Sequence, residues 1–236
     1  MHRLGFMPEE LRAALVFLKN HRYIKVVSVF SHLAASEDPA EDEFTRRQAY
    51  LFMKMADKVS HELGYTVMRH LLNSAGIIRF PEYQFEMVRL GLGLYGIAHS
   101  PEIQANLMQV SKLTSVISQI KSIPPGESVG YNRRWTAVRE TPVGIVPIDY
   151  ADGLRRELAF KGFSLKVNGY HAPLIGAVSM DMCAIDLTGI PASEGDRVII
   201  FENADEIRHL ARLLNTIPYE IITGISPRVK RIYLMD

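Results

Sequence analysis

Five short segments of this 236-residue sequence carry side chains able to move protons or hold an anion. In VPIDYADGLRREL (146–158) a strand-like run ends at Asp149-Tyr150, an Ala-Asp-Gly turn follows, and then two arginines. A tyrosine at a strand end is either a packed hairpin residue or, if its neighbours lower its pKa from about 10, an acid–base group. FSHLAASED sets His32 just past a strand. It reads as a histidine satisfied by backbone, or as a group on the C-terminal face of a parallel barrel, where catalytic residues gather. RHLLNSAG (69–76) places His70, Asn73 and Ser74 where a strand passes into a helix, so Ser74 is an N-cap or, with the following amides, a phosphate ligand. In VRLGLGLYG, Arg89 ends a strand, and Gly91 and Gly93 let the backbone approach a ligand closely. GAVSMDMCAIDLT (176–188) interrupts an apolar strand pair with Ser179, Met180 and Asp181; a buried acid needs partners, so this is a turn or a site loop.

These segments need elements to hold them. PEELRAALVFLKN (8–20) opens with a proline and two acids before apolar residues at helical spacing, which predicts a helix. IKVVSVF (24–30) predicts a strand buried on both faces. A helix over 41–63 follows, closed by Gly64 as C-cap. TVMRHLL (66–72) predicts a second strand, a short helix runs through Ile77 and Ile78, and FEMVRLGLGLYGI (85–97) predicts a third strand ending in a glycine-rich turn. Strands alternating with helices imply a parallel α/β sheet or barrel. Beyond residue 104 the texture becomes β: Thr, Val, Ile and Ser over 107–123, then TPVGIVPI, FSLKVNG, APLIGAVSMDMCAIDL and DRVIIF, interrupted by one helix near 203–215. The expected division is 1–104, a partial (β/α) barrel, and 105–236, a mostly β domain.

The bulk numbers exclude more than they assign. Lysine plus arginine at 27 against aspartate plus glutamate at 26 gives no basic excess for nucleic acid or an anionic membrane. One cysteine, Cys183, allows no intrachain disulfide framework. No apolar run reaches a membrane span and the N-terminus has no signal-peptide pattern, so the expected location is cytoplasmic. No metal site is expected.

Taken in order, with MHRLGF at the start and ITGISPRVKRIYL at the end, the five segments resemble the successive motifs of alanine racemases. The resemblance runs from residue 1 to the C-terminus and is most specific at VPIDYADG and SMDM. It implies a TIM-type barrel holding pyridoxal phosphate, a β-rich C-terminal domain, and a head-to-tail homodimer whose sites draw on both chains. The implied substrate is alanine, and the implied reaction is interconversion of its L and D forms for cell-wall peptidoglycan. By the resemblance Tyr150 is the catalytic tyrosine acting from the partner chain, and His32 the histidine bonded to it. Arg89 faces the pyridine nitrogen, with His70 and Asn73 beside the cofactor. Ser74, Gly91 and Leu92 surround the phosphate. Arg3 lies near the cofactor's phenolic oxygen and the substrate carboxylate, and Met180 and Asp181 form the loop lent to the substrate pocket. Racemisation needs two acid–base groups on opposite faces, a tyrosine and the lysine that carries the cofactor.

Three positions depart from the family pattern. The cofactor lysine belongs to an upstream motif resembling V-K-A-N-A-Y-G, which none of the nine lysines (19, 25, 54, 58, 112, 121, 161, 166, 230) matches. MHRLGF reads as the end of a strand-loop, and three strand–helix units fall short of an eightfold barrel, so a missing upstream part is expected. Pro227 stands where a tyrosine is frequent, and Ala177 where an arginine is common. The alternatives are an inactive dimerisation or binding remnant, and a related pyridoxal-phosphate barrel decarboxylase, against which the YADG and SMDM segments argue.

Overall fold

The computed structural model describes residues 1–21 and 23–234, which divide into two compact units, Met1–Met108 and from Gln109 onward.

In the first unit, helix α1 (Leu11–Asn20) is followed by strand β1 (Ser28–Phe30), helix α2 (Asp42–Leu63), strand β2 (Met68–His70) and helix α3 (Ser74–Arg79), with a further short helix α4 (Pro101–Gln104). The long helix begins with Asp42 and Glu43 in its first turn, where carboxylates favour the helix dipole, and ends at Gly64 with φ 76°. Its inner stripe, Thr45, Ala49, Phe52, Ala56 and Val59, repeats at alternating four- and three-residue steps. Ala49, Phe52 and Ala56 pack with Leu33, Leu71, Leu72 and Phe80, while Val59 packs with Leu11, Leu15 and Val67.

Strands β1 and β2 pair in parallel, Ser28 opposite Met68 and Phe30 opposite His70. Both are shorter than the sequence predicts. The expectation of a strand buried on both faces over 24–30 fails: β-branched residues allow an extended chain, but a ladder needs neighbours on each edge, and Phe30 is 63% exposed. The predicted third strand over 85–97 reduces to one bridge between His70 and Met87, extended by Arg89 N–H donating to Leu72 O at 2.9 Å. Glycines weaken a strand interior, and Leu92–Tyr95 forms a 3-10 turn instead. The first helix starts at Leu11 rather than residue 8, after a turn in which Glu10 and Leu11 N–H donate to Met7 O.

The second unit is a seven-stranded antiparallel sheet. Its strands are β3 (Leu113–Val116), β4 (Gln119–Ile123), β7 (Thr141–Val146), β8 (Ser164–Val167), β9 (Tyr170–Ile175), β10 (Cys183–Asp186) and β11 (Arg197–Phe201), in the order β3-β11-β8-β9-β10-β7-β4. A small hairpin, β5 (Ser128–Val129) with β6 (Trp135–Thr136), stands apart. The two edge strands β3 and β4 are consecutive in the chain, so the sheet curls until its edges meet. At that corner Ile117 N–H donates to Asp196 O at 2.9 Å while Ser118 N–H donates to Ile145 O at 2.8 Å. Helix α5 (Ala204–Leu213), capped by Asn203 accepting from Glu206 N–H, buries Ala204, Ile207, Leu210 and Ala211. A helix that the sequence reading missed, α6 (Pro218–Thr223), follows it.

Among the described residues no helix is long and apolar enough to cross a membrane, and no group of His, Cys, Asp or Glu is placed to hold a metal ion.

Candidate active site

The first constellation lies just beyond the C-terminal ends of β1 and β2 and is organised by Arg89. One terminal nitrogen, Nη1, donates to His70 Nδ1 at 2.5 Å and to His70 O at 3.1 Å. The other, Nη2, donates to Ser31 O at 2.6 Å, Leu71 O at 3.2 Å and His32 Nδ1 at 3.2 Å. Because a guanidinium only donates, both imidazole Nδ1 atoms must be acceptors, and each neutral ring carries its proton on Nε2. His70 Nε2 faces Ser28 Oγ at 3.4 Å, and its ring stacks on Phe30 with centroids 5.0 Å apart. His32 thus presents an N–H donor at a strand end, and Arg89 keeps its Nε–H as a remaining donor.

Both histidines sit below the usual imidazole range. Burial is the larger cause for each and the charge of Arg89 adds to it, joined at His32 by Arg3. A base whose pKa is lower in the folded state contributes stability that is full above its unfolded pKa and is lost as pH falls through the folded value. We therefore expect the thermal midpoint to drop as pH falls below about 6.5, the ordinary imidazole value, before most carboxylates titrate. Replacing His32 and His70 together by glutamine should flatten that slope. An unchanged slope in the double variant would assign it to other groups.

A second focus lies two residues further along. Gly91 N–H and Gly93 N–H donate to Ser74 Oγ at 2.9 and 3.4 Å, so two amides and a hydroxyl are gathered at one place, the amides turned toward the hydroxyl oxygen. A Cβ on Gly93 would meet Leu90 Cδ1 at 2.9 Å and face Ser74 Oγ at 3.9 Å. Asn73 works behind this point: its Oδ1 accepts from Gly76 N–H and from the buried Ser36 hydroxyl. The Leu92 side chain is buried, and Arg3 is exposed.

The third constellation belongs to the second unit. Tyr150 follows β7 in a turn and is 41% exposed, whereas the preceding Asp149 is 1% exposed. Asp149 Oδ1 accepts from Ala151 N–H at 2.5 Å and Asp152 N–H at 3.3 Å. Its Oδ2 accepts from Arg228 Nη2 at 2.8 Å, and Arg228 Nε donates to Asp152 Oδ1 at 2.6 Å. Burial, then the hydrogen bond shared with Asp152, pushes the Asp149 carboxyl up. Burial acts the same way on Asp152, but hydrogen bonds from Arg228 and Asp149 hold that carboxyl low. Cys183, on β10, is buried, and burial followed by the charge of Asp149 pushes its thiol up to about 12, so it is chemically quiet.

The sequence expectations separate here. Arg89, His32 and His70 come together, as do Ser74, Gly91 and Gly93. Met180 and Asp181 occupy an exposed bend between β9 and β10, held by Met182 N–H donating to Ser179 Oγ at 3.2 Å. Asp181 is exposed there, in keeping with the turn alternative for that segment, and the buried acid of this unit is Asp149, in the turn after β7. Arg228 was missed altogether. A lone acid directly after an apolar strand demands a cation, and that demand was the available signal for it.

The chain as a whole resembles known proteins. The sequence matches the family profile "Alanine racemase, N-terminal domain" over residues 1–99 and "Alanine racemase, C-terminal domain" over residues 110–233. The chain belongs to the alanine racemase family. It is 36% identical, over 99% of its length, to an alanine racemase of Sorangium cellulosum, and 35% identical, over its whole length, to alanine racemase 1 of Clostridium acetobutylicum. In both comparisons the chain spans 63% of the relative's length. Among solved structures it resembles alanine racemase from Bacillus anthracis with bound L-Ala-P, at TM-score 0.88 and 30% identity, covering all of this chain and 62% of that one. It also resembles the Bartonella henselae alanine racemase with covalently bound pyridoxal phosphate, at TM-score 0.84 and 29% identity, covering 99% and 64%. The fold class read from the sequence, an α/β part followed by a mostly β part, agrees with these neighbours.

Proposed function

We propose that the chain supplies the tyrosine-bearing and cofactor-holding part of a cytoplasmic alanine racemase that interconverts L- and D-alanine with pyridoxal phosphate. The observation that carries this reading is Arg89: both Nη groups are committed to carbonyls and histidines, and one Nε–H remains at the end of the parallel strands. A half-buried donor of that kind suits an unprotonated ring nitrogen, since arginine does not readily give up its proton. The convergence of Ser74 Oγ with the Gly91 and Gly93 amides suits a phosphate. The residues present therefore fit both ends of the cofactor. When bound, pyridoxal phosphate supplies an electron sink for the pair left at the substrate α-carbon.

The chain's own side chains do the rest. Tyr150 holds or takes the α-proton on one face. In a head-to-tail homodimer, the partner's Tyr150 would meet His32, whose Nε2–H can donate to a phenolate oxygen; the cationic Arg89 behind it favours that ionised form. Arg3, with Met180 and Asp181 from the partner, would receive the amino-acid carboxylate and shape the pocket. The opposite face needs a second base, which in the family is the cofactor lysine. We assign none of the nine lysines to it. Lys19 pairs with Glu62, and Lys112 and Lys166 both pair with Glu202.

Two measurements test this. Pyridoxal phosphate should bind the chain at least about tenfold more tightly than pyridoxal, as charge-assisted bonds to a phosphate imply. Ser74→Ala should narrow that gap, as read by equilibrium dialysis, and equal affinities would remove the phosphate site. For the reaction, the chain is supplied with the cofactor and with a segment bearing the V-K-A-N-A-Y-G motif. L-alanine is then followed by chiral chromatography. Appearance of D-alanine supports the proposal. Cofactor binding without turnover favours a binding module, and release of carbon dioxide from a basic amino acid favours a decarboxylase.

A further inference from the structure

We propose that Asp149, Asp152 and Arg228 are positioning residues for Tyr150, locking the turn from which its ring projects. The inference rests on the racemase reading and deepens it. By accepting from the N–H groups of the second and third residues beyond it, Asp149 Oδ1 makes Tyr150 the central residue of an Asx turn. The Asp149 carbonyl accepts as well, from Asp152 N–H at 3.1 Å and Leu154 N–H at 2.9 Å. The single guanidinium of Arg228 then bridges Asp149 and Asp152, the residues on either side of the Tyr150-Ala151 pair.

The other half of this bracket is the segment after α6. Ser226 N–H donates to Asp152 O at 3.0 Å. Arg231 holds that segment in shape by donating to Ile225 O at 2.9 Å, Ser226 O at 2.5 Å and Val229 O at 2.7 Å. The backbone of Tyr150 is thus fixed from both directions, while its ring stays partly open to solvent.

An uncharged serine or asparagine closes an Asx or related turn without placing a charge out of water. A buried carboxylate is costly and persists where a cation and hydrogen bonds compensate it. What the charge adds at position 149 is Arg228, and with it a covalently distant anchor for the turn. Proton transfer rewards such anchoring, because a donor displaced by about 1 Å loses on the order of a hundredfold in rate.

The test compares wild type with Arg228→Met, which keeps the bulk and removes the bridge, and Arg228→Lys, which keeps the charge, each supplied with pyridoxal phosphate and the segment bearing the V-K-A-N-A-Y-G motif. Amide hydrogen exchange at Ala151 and Asp152, the thermal midpoint, and the alanine kcat and KM are read for each. In Arg228→Met both amides should exchange at least about tenfold faster, with kcat down about ten- to a hundredfold. KM should stay close to wild type. The thermal midpoint should fall, because the buried Asp149 carboxylate loses its cation, but kcat read well below that midpoint should still be reduced, and Arg228→Lys should recover part of it. Wild-type amide exchange with unchanged kcat in Arg228→Met overturns the proposal. So does a fall in kcat that merely tracks lost stability, with Arg228→Lys no better. Accelerated exchange in a protein whose wild type racemises no alanine overturns the racemase reading and leaves the lock on the turn supported.

Discussion

On the proposed racemase reading, with pyridoxal phosphate and the lysine-bearing segment supplied, Tyr150→Phe is expected to lower the interconversion of L- and D-alanine by about 10²- to 10⁴-fold, the usual span for a removed acid–base group. It should leave α-proton exchange of one enantiomer measurable. In a two-base site each enantiomer presents its α-proton to a different group. Loss of the tyrosine hydroxyl stops inversion in both directions, because one direction lacks its base and the other lacks its acid. The enantiomer whose proton faces the second base can still lose that proton and regain one from solvent on the same face. Proton NMR in D₂O, run separately on L- and D-alanine, reads this asymmetry, and chiral chromatography reads inversion. Folding should be unaffected, because the ring is already 41% exposed and phenylalanine keeps it. Symmetric loss of exchange from both enantiomers would point to a single-base site, and undiminished inversion would remove Tyr150 from the chemistry.

Gly153→Ala should be among the most destabilising single substitutions in the second unit. Gly153 has φ +117°, where a side chain is strained in any surroundings. An added Cβ would lie 2.8 Å from Gly224 O and 3.1 Å from Ile225 Cα, both backbone atoms of the segment that anchors the Tyr150 turn. Neither can move without opening the bracket around Arg228. We expect a loss of roughly 2–4 kcal/mol, read as a thermal midpoint lower by several degrees. Gly162→Ala is the internal control: its φ is +70° and an added Cβ meets nothing within 4 Å, so only backbone strain of about 1–2 kcal/mol applies. Equal losses at the two positions would show that the close approach at Gly153 costs nothing.

Much of this arrangement was legible in the sequence, and the failures have physical causes. Helix α2 could be read nearly to the residue, because its apolar stripe and Gly64 are both local signals. The strands of the second unit were visible as short β-branched runs separated by turns. Strand lengths in the first unit were not, since IKVVSVF is compatible with an extended chain but its pairing depends on neighbours that composition does not reveal. At the site, His32, His70, Arg89 and Ser74 stood out because each follows a strand-like run or opens a helix. For Asp181 the apolar flanks left a turn and a site loop both open, and it sits on an exposed bend. The true buried acid, Asp149, depends on Arg228, far along the chain. Pairings at that separation leave no periodicity to read.

The curled sheet has a consequence for the order of events during folding. The strand Leu113–Val116 finds its partner only in Arg197–Phe201, the last strand of the unit, and the corner at Ile117 and Ser118 cannot close before then. Contacts between segments so far apart raise the entropic cost of loop closure and slow folding toward the millisecond-to-second regime. Through that interval the first strand keeps an unpaired edge able to recruit another extended chain. The turn bearing Tyr150 is also fastened late, because its anchor at Arg228 emerges after the whole sheet. The Tyr150 turn should therefore be the last part of this unit to take its final shape as it folds.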